Sequence, residues 1–480
     1  MVHRVFFGAR LRVAGAMAVA CGLASAADAQ FAEPDAVALQ TFTGAPGESY
    51  GWAVADLTDI DGDGVKEVIS GAPFNGALGI RTGRLEVRSG ATGALLHEFN
   101  GLASEDFLGY AIADAGDVDG DGVADIVAGG PRTAGVTGKA VVWSGATGAV
   151  LHTLVGPADT TFLGGAVSGA GDINGDGHDD LLVGAPLSPA GVNDGVAYVF
   201  SGADGSVLRT YPGDTASRFG FGAALAGDID GDGVGEHIVG APWGGYAEVY
   251  SGATGAVLHR FNAEPTGGAF GQFFVSGAGD VDADGTPDFY VGDYGDDATP
   301  ADAVAARGAA YVFSGADGSR IRLYHGAEGD GMGPGRSAGD VNGDGADDLI
   351  IGLYTNSDAV SQGGRIDVVS GADGAILRTF TGTQFSAQLG FDCVGMGDAD
   401  GDGEIDFILS AANGSRVYIA SGAAAVCVGD LTGDGLVDGA DLGQLLGAWG
   451  TDAAGADLSD DGVVDGADLG LLLGAWGACA

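Results

Sequence analysis

A nine-residue cassette of the form D-x-[DN]-x-D-G-x-x-[DE] recurs seven times along the chain, at intervals of 52 to 60 residues. Its copies begin at Asp59, Asp117, Asp172, Asp228, Asp280, Asp340 and Asp398. Such a long, even period demands equivalent supersecondary units stacked on one another rather than one irregular core. Oxygens at positions 1, 3, 5 and 9 of the cassette, with a backbone carbonyl at position 7, suit a hard cation such as Ca²⁺. Gly at position 6 permits the sharp turn this needs.

The candidate ligands follow by spacing. In the first loop they are Asp59, Asp61, Asp63, the Val65 carbonyl and Glu67, and in the second Asp117, Asp119, Asp121, Val123 and Asp125. The third loop offers Asp172, Asn174, Asp176, His178 and Asp180, and the fourth Asp228, Asp230, Asp232, Val234 and Glu236. The fifth has Asp280, Asp282, Asp284, Thr286 and Asp288, with Pro287 at position 8 removing an N–H but no ligand. Asp340, Asn342, Asp344, Ala346 and Asp348 make the sixth set, and Asp398, Asp400, Asp402, Glu404 and Asp406 the seventh. Without a cation each loop crowds like charges, at about 4 kcal/mol per pair at roughly 4 Å and an effective dielectric near 20. The ions are read as structural, because no open coordination position or partnered base accompanies them.

Net charge is −47, from 66 acidic and 19 basic residues. Roughly half of the acidic residues sit at ligand positions, and the remainder still repels nucleic acid and anionic lipid. The 94 glycines fall at fixed offsets within each unit and read as turn residues, not as low complexity.

Each unit carries more than its acidic loop. An aromatic-or-Leu plus Gly pair precedes it at Tyr50-Gly51, Leu108-Gly109, Leu163-Gly164, Phe219-Gly220, Phe270-Gly271 and Leu389-Gly390, degenerating to Met332-Gly333 in the sixth unit. A short apolar run follows and ends in Gly-Ala-Pro at Gly71, Gly184 and Gly240, weakened in the other units. Two alternating segments such as RLEVRSG and ALLHEFNG complete the unit. Period-2 alternation between Gly/Asp turns gives about four short strands per unit, the pattern of propeller blades. The seventh unit lacks its last strand, while ALQTFTG at 38–44 precedes the first loop and matches ILRTFTG at 376–382. The N-terminal strand is therefore expected to complete the seventh blade and close a ring, which removes open sheet edges.

The order of aromatic-Gly, acidic loop and Gly-Ala-Pro resembles FG-GAP repeats, as in the propeller of integrin alpha chains and in bacterial relatives. The resemblance covers residues 31–422. It implies that each loop joins two strands of a blade and binds one Ca²⁺ near one face of the disc. Integrin propellers keep the acidic loop in only some blades, whereas all seven units here have it. No inserted metal-dependent adhesion domain is found.

Two further segments flank the propeller region of 30–425. At the N-terminus Arg4, Arg10 and Arg12, the apolar run 13–24 and Ala27-Asp28-Ala29 form a secretory signal over 1–29. The run is too short to span a bilayer, so the mature chain is expected to be secreted, at the cell surface or periplasmic. At the C-terminus, 426–480, DLTGDGLVDGAD and DLSDDGVVDGAD begin at Asp430 and Asp457 and run into LGQLLGAWG and LGLLLGAWG. Ligand candidates are Asp430, Thr432, Asp434, the Leu436 carbonyl, Asp438 and Asp441, then Asp457, Ser459, Asp461, the Val463 carbonyl, Asp465 and Asp468. This is the 12-residue EF-hand spacing with Asp at its last position. Leu442, Leu445, Leu446 and Trp449 form one expected buried helix face, and Leu469, Leu472, Leu473 and Trp476 the other.

This tail resembles a type I dockerin, the duplicated loop-helix module that docks onto cohesins in cellulase assemblies. That resemblance implies two more Ca²⁺ and a cohesin-like partner. Gly439-Ala440 and Gly466-Ala467 stand where the family often carries a Ser/Thr recognition pair, which puts the docking partner in doubt. Cys427 and Cys479 bracket the tail and are candidates for a disulfide in an exported protein, and Cys393 is left as a buried thiol.

His97, His152 and His259 share a strand position with Arg209, Arg322 and Arg378 and read as solvated cations on the outer rim. No G-x-S-x-G, H-E-x-x-H or P-loop pattern occurs. The sequence thus describes an all-β, seven-bladed, calcium-loaded propeller with a small α-helical tail. The favoured role is non-catalytic recognition of an extracellular glycan or protein ligand, with the long segment 294–308 as the best-placed ligand loop. Two alternatives stay open: a polysaccharide hydrolase or lyase attached through the tail, and a structural envelope component.

Overall fold

In the computed structural model the β-branched and aromatic runs of each repeat become short antiparallel strands, four to a sheet. It describes residues 30–133, 136–157, 160–189, 192–265, 267–296, 306–423, 429, 431–432, 436–451, 453, 455–459 and 462–478. Seven four-stranded sheets occur among them, so the fold is the all-β, seven-bladed propeller expected. The first blade runs inside to outside through Val54–Leu57, Glu67–Ala72, Arg84–Arg88 and Leu95–Asn100. The next five blades repeat this meander. Second strands are buried along their whole length, as in Glu67–Ala72, Asp180–Ala185 and Asp348–Leu353. Outermost strands are exposed or half-buried apart from one buried aromatic each, Phe99, Tyr211 and Phe261 in the first, third and fourth blades.

The seventh sheet closes the ring as expected. Leu389–Gly397, Asp406–Ala411 and Arg416–Ala420 are joined at the outer edge by Ala38–Thr43, with Phe42 opposite Val417 and Gln40 opposite Ile419. Upstream residues extend the clasp onto the sixth blade. Phe31 packs edge-on against Phe380 and Tyr418, each 5.4 Å away, and Glu33 accepts the Thr381 N–H at 2.7 Å.

Apolar clusters fill the spaces between neighbouring blades. Leu57, Ile69, Leu85 and Val87 of the first meet Leu108, Ile126 and Ala128 of the second. Each such side chain contributes about 1.5–3 kcal/mol on burial. The recurring glycines explain how the blades come this close. A Cβ on Gly71 would lie 2.2 Å from the carbonyl oxygen of Gly109, so the Gly of Gly-Ala-Pro in one blade is the seat for the aromatic-Gly pair of the next. Gly109 also donates its N–H to Gly129 in its own blade at 3.1 Å. The two halves of the repeat signature are thus two sides of one inter-blade contact.

In the tail, α1 spans Gly439–Gly447 and α2 spans Gly466–Gly474. Each begins with a reciprocal capping box, Asp438 with Asp441 and Asp465 with Asp468. Leu445 and Leu472 are fully buried with Val437 and Val464. The expected buried faces need correcting: Leu446, Leu473, Trp449 and Trp476 are about half exposed. Nine-residue helices ending at Gly447 and Gly474 offer one buried turn each, so these side chains lie beyond the small core. Cys427 and Cys479 lie outside the described residues, as do 1–29. Cys393 is a free, fully buried thiol whose ionisation burial disfavours. No helix among the described residues is long and apolar enough to cross a membrane.

Candidate metal centres and the opposite face

Each cassette connects the first and second strands of its blade, so all seven lie on one face of the disc. The backbone wraps the first carboxylate in the same way every time. Asp59 accepts the N–H of Gly62 at 2.7 Å and of Gly64 at 2.8 Å. The bond from position 6 to position 1 recurs in all seven loops at 2.8–2.9 Å. These two N–H groups, Gly64 first, hold the Asp59 carboxyl below its ordinary range. Gly64 has φ of +93°, a left-handed turn that aims the N–H inward and that a side chain would strain.

Position 9 lies at the start of the buried second strand. Glu67, Asp125, Asp180, Glu236, Asp288, Asp348 and Asp406 are completely buried. Each accepts the N–H of position 2, as Glu67 does from Ile60 at 2.7 Å and Asp125 from Val118 at 2.8 Å. In the Asp loops the second oxygen takes another N–H, from Gly145 to Asp125 at 3.0 Å and from Gly371 to Asp348 at 2.9 Å. The longer Glu side chains leave Glu67 Oε2 and Glu236 Oε1 buried without a hydrogen-bond partner. Burial pushes Glu67 and Glu236 up to about 7, and Asp125, Asp180 and Asp288 to about 6. A buried carboxylate with an unused oxygen and no counter-charge fits a cation.

In five of the loops the carboxylates at positions 1, 3 and 9 converge, and the position-5 carboxylate is not among them. Asp59, Asp61 and Glu67 bring carboxylate oxygens within 4.8 Å of one another. So do Asp117, Asp119 and Asp125; Asp228, Asp230 and Glu236; Asp280, Asp282 and Asp288; and Asp398, Asp400 and Asp406. In the third and sixth loops Asn174 and Asn342 take position 3, and each donates its amide to the position-5 carboxylate at 2.9 Å. These acidic clusters are able to hold metal ions. In the tail, Asp441 and Asp468 are fully buried at their capping boxes, and Gly462 donates to Asp457 at 2.7 Å, the same bond the propeller loops make. Asp430, Asp434 and Asp461 lie outside the described residues.

The rim histidines do not simply face solvent, as the sequence reading expected, but reach across to the next blade. His97 Nε2 lies 2.7 Å from the Gly145 carbonyl of the next blade, and His259 Nε2 lies 2.8 Å from that of Gly315. His152 reaches Gly202 at 2.5 Å. Arg209 bonds the carbonyls of Gly252 and Ala253, Arg322 that of Gly371 at 3.0 Å, and Arg378 that of Asp35 at 2.8 Å. Gln40, on the closing strand, reaches Gly90 at 2.6 Å. Every junction between blades therefore carries a side-chain latch onto a backbone carbonyl. Gly145, Gly202, Gly315 and Gly371 are the same residues whose N–H groups the position-9 carboxylates hold. Separation along the sequence hid this: the partner lies one blade away, about fifty residues on.

The opposite face is built from the residues that follow the aromatic-Gly pairs and from the outer connections. Trp52 packs against Phe391 at 4.9 Å, Phe74 at 5.3 Å and Tyr110 at 5.6 Å. Phe221 meets Phe273 at 5.5 Å, Tyr110 meets Phe273 at 5.9 Å, and Tyr354 meets Phe391 at 5.6 Å. These rings gather at one end of a central channel of about 460 Å³, walled by the innermost strands, whose small and apolar residues are joined by Asp56, Asp114, Arg336 and Asp392. Within the channel Arg336 is paired with Asp392, which also accepts the Val54 N–H at 2.9 Å and so ties the sixth, seventh and first blades together. Around the aromatic cluster Leu102, Phe385 and Ile80 are 87, 76 and 70% exposed, and Leu78 and Trp243 are exposed too. Sequence reading singled out the aromatic-Gly pairs but not the ring-bearing residues after them, although Trp52, Tyr110, Phe221 and Phe391 recur at that offset. Of the expected ligand segment 294–308, Tyr294 joins the cluster against Tyr354 at 6.3 Å, and 297–305 lie outside the described residues.

Comparison with known proteins agrees with this architecture. Residues 164–200 and 219–259 match the FG-GAP repeat family. The chain is 34% identical over 215 residues to integrin alpha-V of Gallus gallus, covering 40% of this chain and 20% of that one. Integrin alpha pat-2 of Caenorhabditis briggsae is 35% identical over 220 residues, covering 39% of this chain and 18% of the relative. For integrin alpha-IIb of Homo sapiens the identity is 35% over 222 residues, 39% of this chain and 20% of the relative. The chain matches about a fifth of the length of these relatives.

Proposed function

We propose, from the premise that this chain is a propeller of FG-GAP repeats similar to those of integrin alpha chains, that it is an exported, non-catalytic adhesion or recognition protein. It engages a protein or glycan ligand through the aromatic face. The observation that carries this reading is the cluster around Trp52, Tyr110, Phe221, Phe273 and Phe391, ringed by exposed Leu78, Ile80, Leu102, Trp243 and Phe385. An exposed apolar surface with aromatic anchors is what recognition surfaces require. Calcium in the seven loops holds the other face of the disc rigid, so that the ligand face is presented in one geometry. The residues of 1–29 direct export.

The tail, 426–480, is proposed as an attachment module with two calcium loops. Trp449 and Trp476, with Leu446 and Leu473, are exposed at equivalent positions of the two helices and offer a duplicated apolar contact. A cohesin-like partner is the candidate suggested by the dockerin resemblance.

The test is a binding screen of residues 30–480 and of a form ending at 425, against extracellular polysaccharides and envelope proteins, in Ca²⁺ and in chelator. Calcium-dependent binding kept by the shorter form and lost in Trp52→Ala supports the face as the recognition surface. Binding that needs the tail alone overturns that assignment. A cohesin panel that retains nothing in Ca²⁺ removes the proposed partner of the tail.

A further inference from the structure

Position 8 of each cassette is not a ligand position, yet in four of the seven loops it lies against the residue just before the cassette of the preceding blade. A Cβ on Gly227 would fall 2.6 Å from Pro287, and one on Gly339 would fall 2.9 Å from Ile405. In the third and sixth loops position 8 is an Asp. A Cβ on Gly116 would lie 2.2 Å from Asp179 Oδ2, and one on Gly279 would lie 2.1 Å from Asp347 Oδ2. Elsewhere the contact is apolar or absent: Gly171, faced by Gly235, and Gly397, faced by Lys66, meet nothing within 4 Å.

Where it is Asp, the contact becomes a pair of hydrogen bonds across the blade junction. Asp179 accepts the Asp117 N–H at 2.8 Å and donates its own N–H to the Asp117 carbonyl at 3.0 Å. Asp347 does the same to Asp280, at 2.8 and 2.9 Å. Asp117 and Asp280 are the first ligand positions of the second and fifth loops. His178 adds a third bond to the first of these junctions, its Nδ1 lying 2.8 Å from the Val118 carbonyl. The two loops with Asp at position 8 are also the two with Asn at position 3. Each carries one carboxylate fewer in its own ligand ring and one more beside its neighbour's.

We propose that Asp179 and Asp347 are positioning residues for the cation sites of the preceding blades. Each clamps the backbone of the neighbour's first ligand and adds a negative charge beside it. The second and fifth loops then bind Ca²⁺ more tightly than the others, and the seven sites include two coupled pairs, the second with the third and the fifth with the sixth. This rests on the calcium reading of the loops.

The experiment counts bound Ca²⁺ on the full chain by native mass spectrometry over a series of free calcium concentrations, beside a thermal melt at each. The variants are Asp179→Ala, Asp347→Ala and the double substitution. Ala already occupies position 8 of the second loop at Ala124, so the fold accepts it. The two sites that fill first should need roughly tenfold more free calcium in the double variant, the usual scale for losing an outer-shell partner, while the sites outside the two coupled pairs fill as before. Ile405→Ala, at the same place without a charge, should leave the filling curve unchanged. Asp179→Asn keeps an acceptor for the Asp117 N–H and serves if the Ala form is unstable; it should fall between the native chain and the Ala form. If the native chain takes up calcium and the double variant fills at the same concentrations, the positioning role is overturned and the calcium reading stands. If the native chain retains no ion at millimolar calcium, the calcium reading itself fails.

Discussion

On one face of the disc, seven loops of equal length repeat the same ligand positions and the same bond from position 6 to position 1. On the other face the connections differ blade by blade. The link between second and third strands is four residues at 242–245 and at 412–415, but runs from 294 to 308 in the fifth blade. Repetition is what a shared mechanical task produces, since every blade meets the next in the same way. A single partner, by contrast, needs one arrangement of side chains, and the irregular face gathers such a unique set in Trp52, Tyr110 and Phe391 together with Leu102 and Phe385.

The largest test of that division is to remove divalent cations from the full chain. One loop held at 100 times its dissociation constant contributes about 2.7 kcal/mol. Loss across several loops should lower the Tm by roughly 10 °C or more, read by calorimetry in Ca²⁺ and in EDTA. An unmoved Tm would take the structural role away from the regular face. Next in size is the contact beneath both faces: Gly71→Val forces a side chain onto Gly109 and should cost about 3 kcal/mol or more in urea unfolding. A cost under 1 kcal/mol would show that the blades are not seated on these glycines.

A pH dependence should belong to the metal side of the molecule as well. His237 is buried beside Tyr211, and burial lowers it to about 4 from an ordinary 6.5. The unfolded chain takes up a proton below pH 6.5 that the folded chain refuses until about 4. Stability is therefore full above 6.5 and falls by about 3 kcal/mol as the pH drops to about 4. In saturating calcium, His237→Gln should flatten that slope; an unchanged slope would assign it to other groups. On the ligand face, Trp52→Ala should weaken binding of the ligand returned by the screen by about 2 kcal/mol without altering calcium uptake. Equal losses in both would merge the two faces into one function. The smallest effect sharpens the rule of repetition itself. Ala283 stands where the other six loops all have Gly, at φ of +57°, so Ala283→Gly should stabilise the chain by about 1 kcal/mol. A destabilisation would mean that its methyl group makes a contact worth more than the strain.

Much of this was legible because the information was local and repeated. The cassette spacing, the paired strands and the missing last strand of the seventh unit led directly to the blades and to the closure of Phe42 on Val417. What escaped lies between blades. His97 bonds Gly145 and Asp179 bonds Asp117, partners about fifty to sixty residues apart with no periodic signal of their own. The tail shows a different limit. Helical spacing in LGQLLGAWG marked Leu446 and Trp449 as buried, but spacing cannot tell how far a small core extends, and only Leu445 is fully enclosed there.

The clasp at Ala38–Thr43 has a consequence in time. This strand leaves the ribosome first of all the propeller strands, and its partner, Arg416–Ala420, leaves last. Six blades can form in the order they are made, but the circle stays open until the seventh arrives, so closure is the slow, long-range step of folding. The final lock is set only once the last propeller strand has been made.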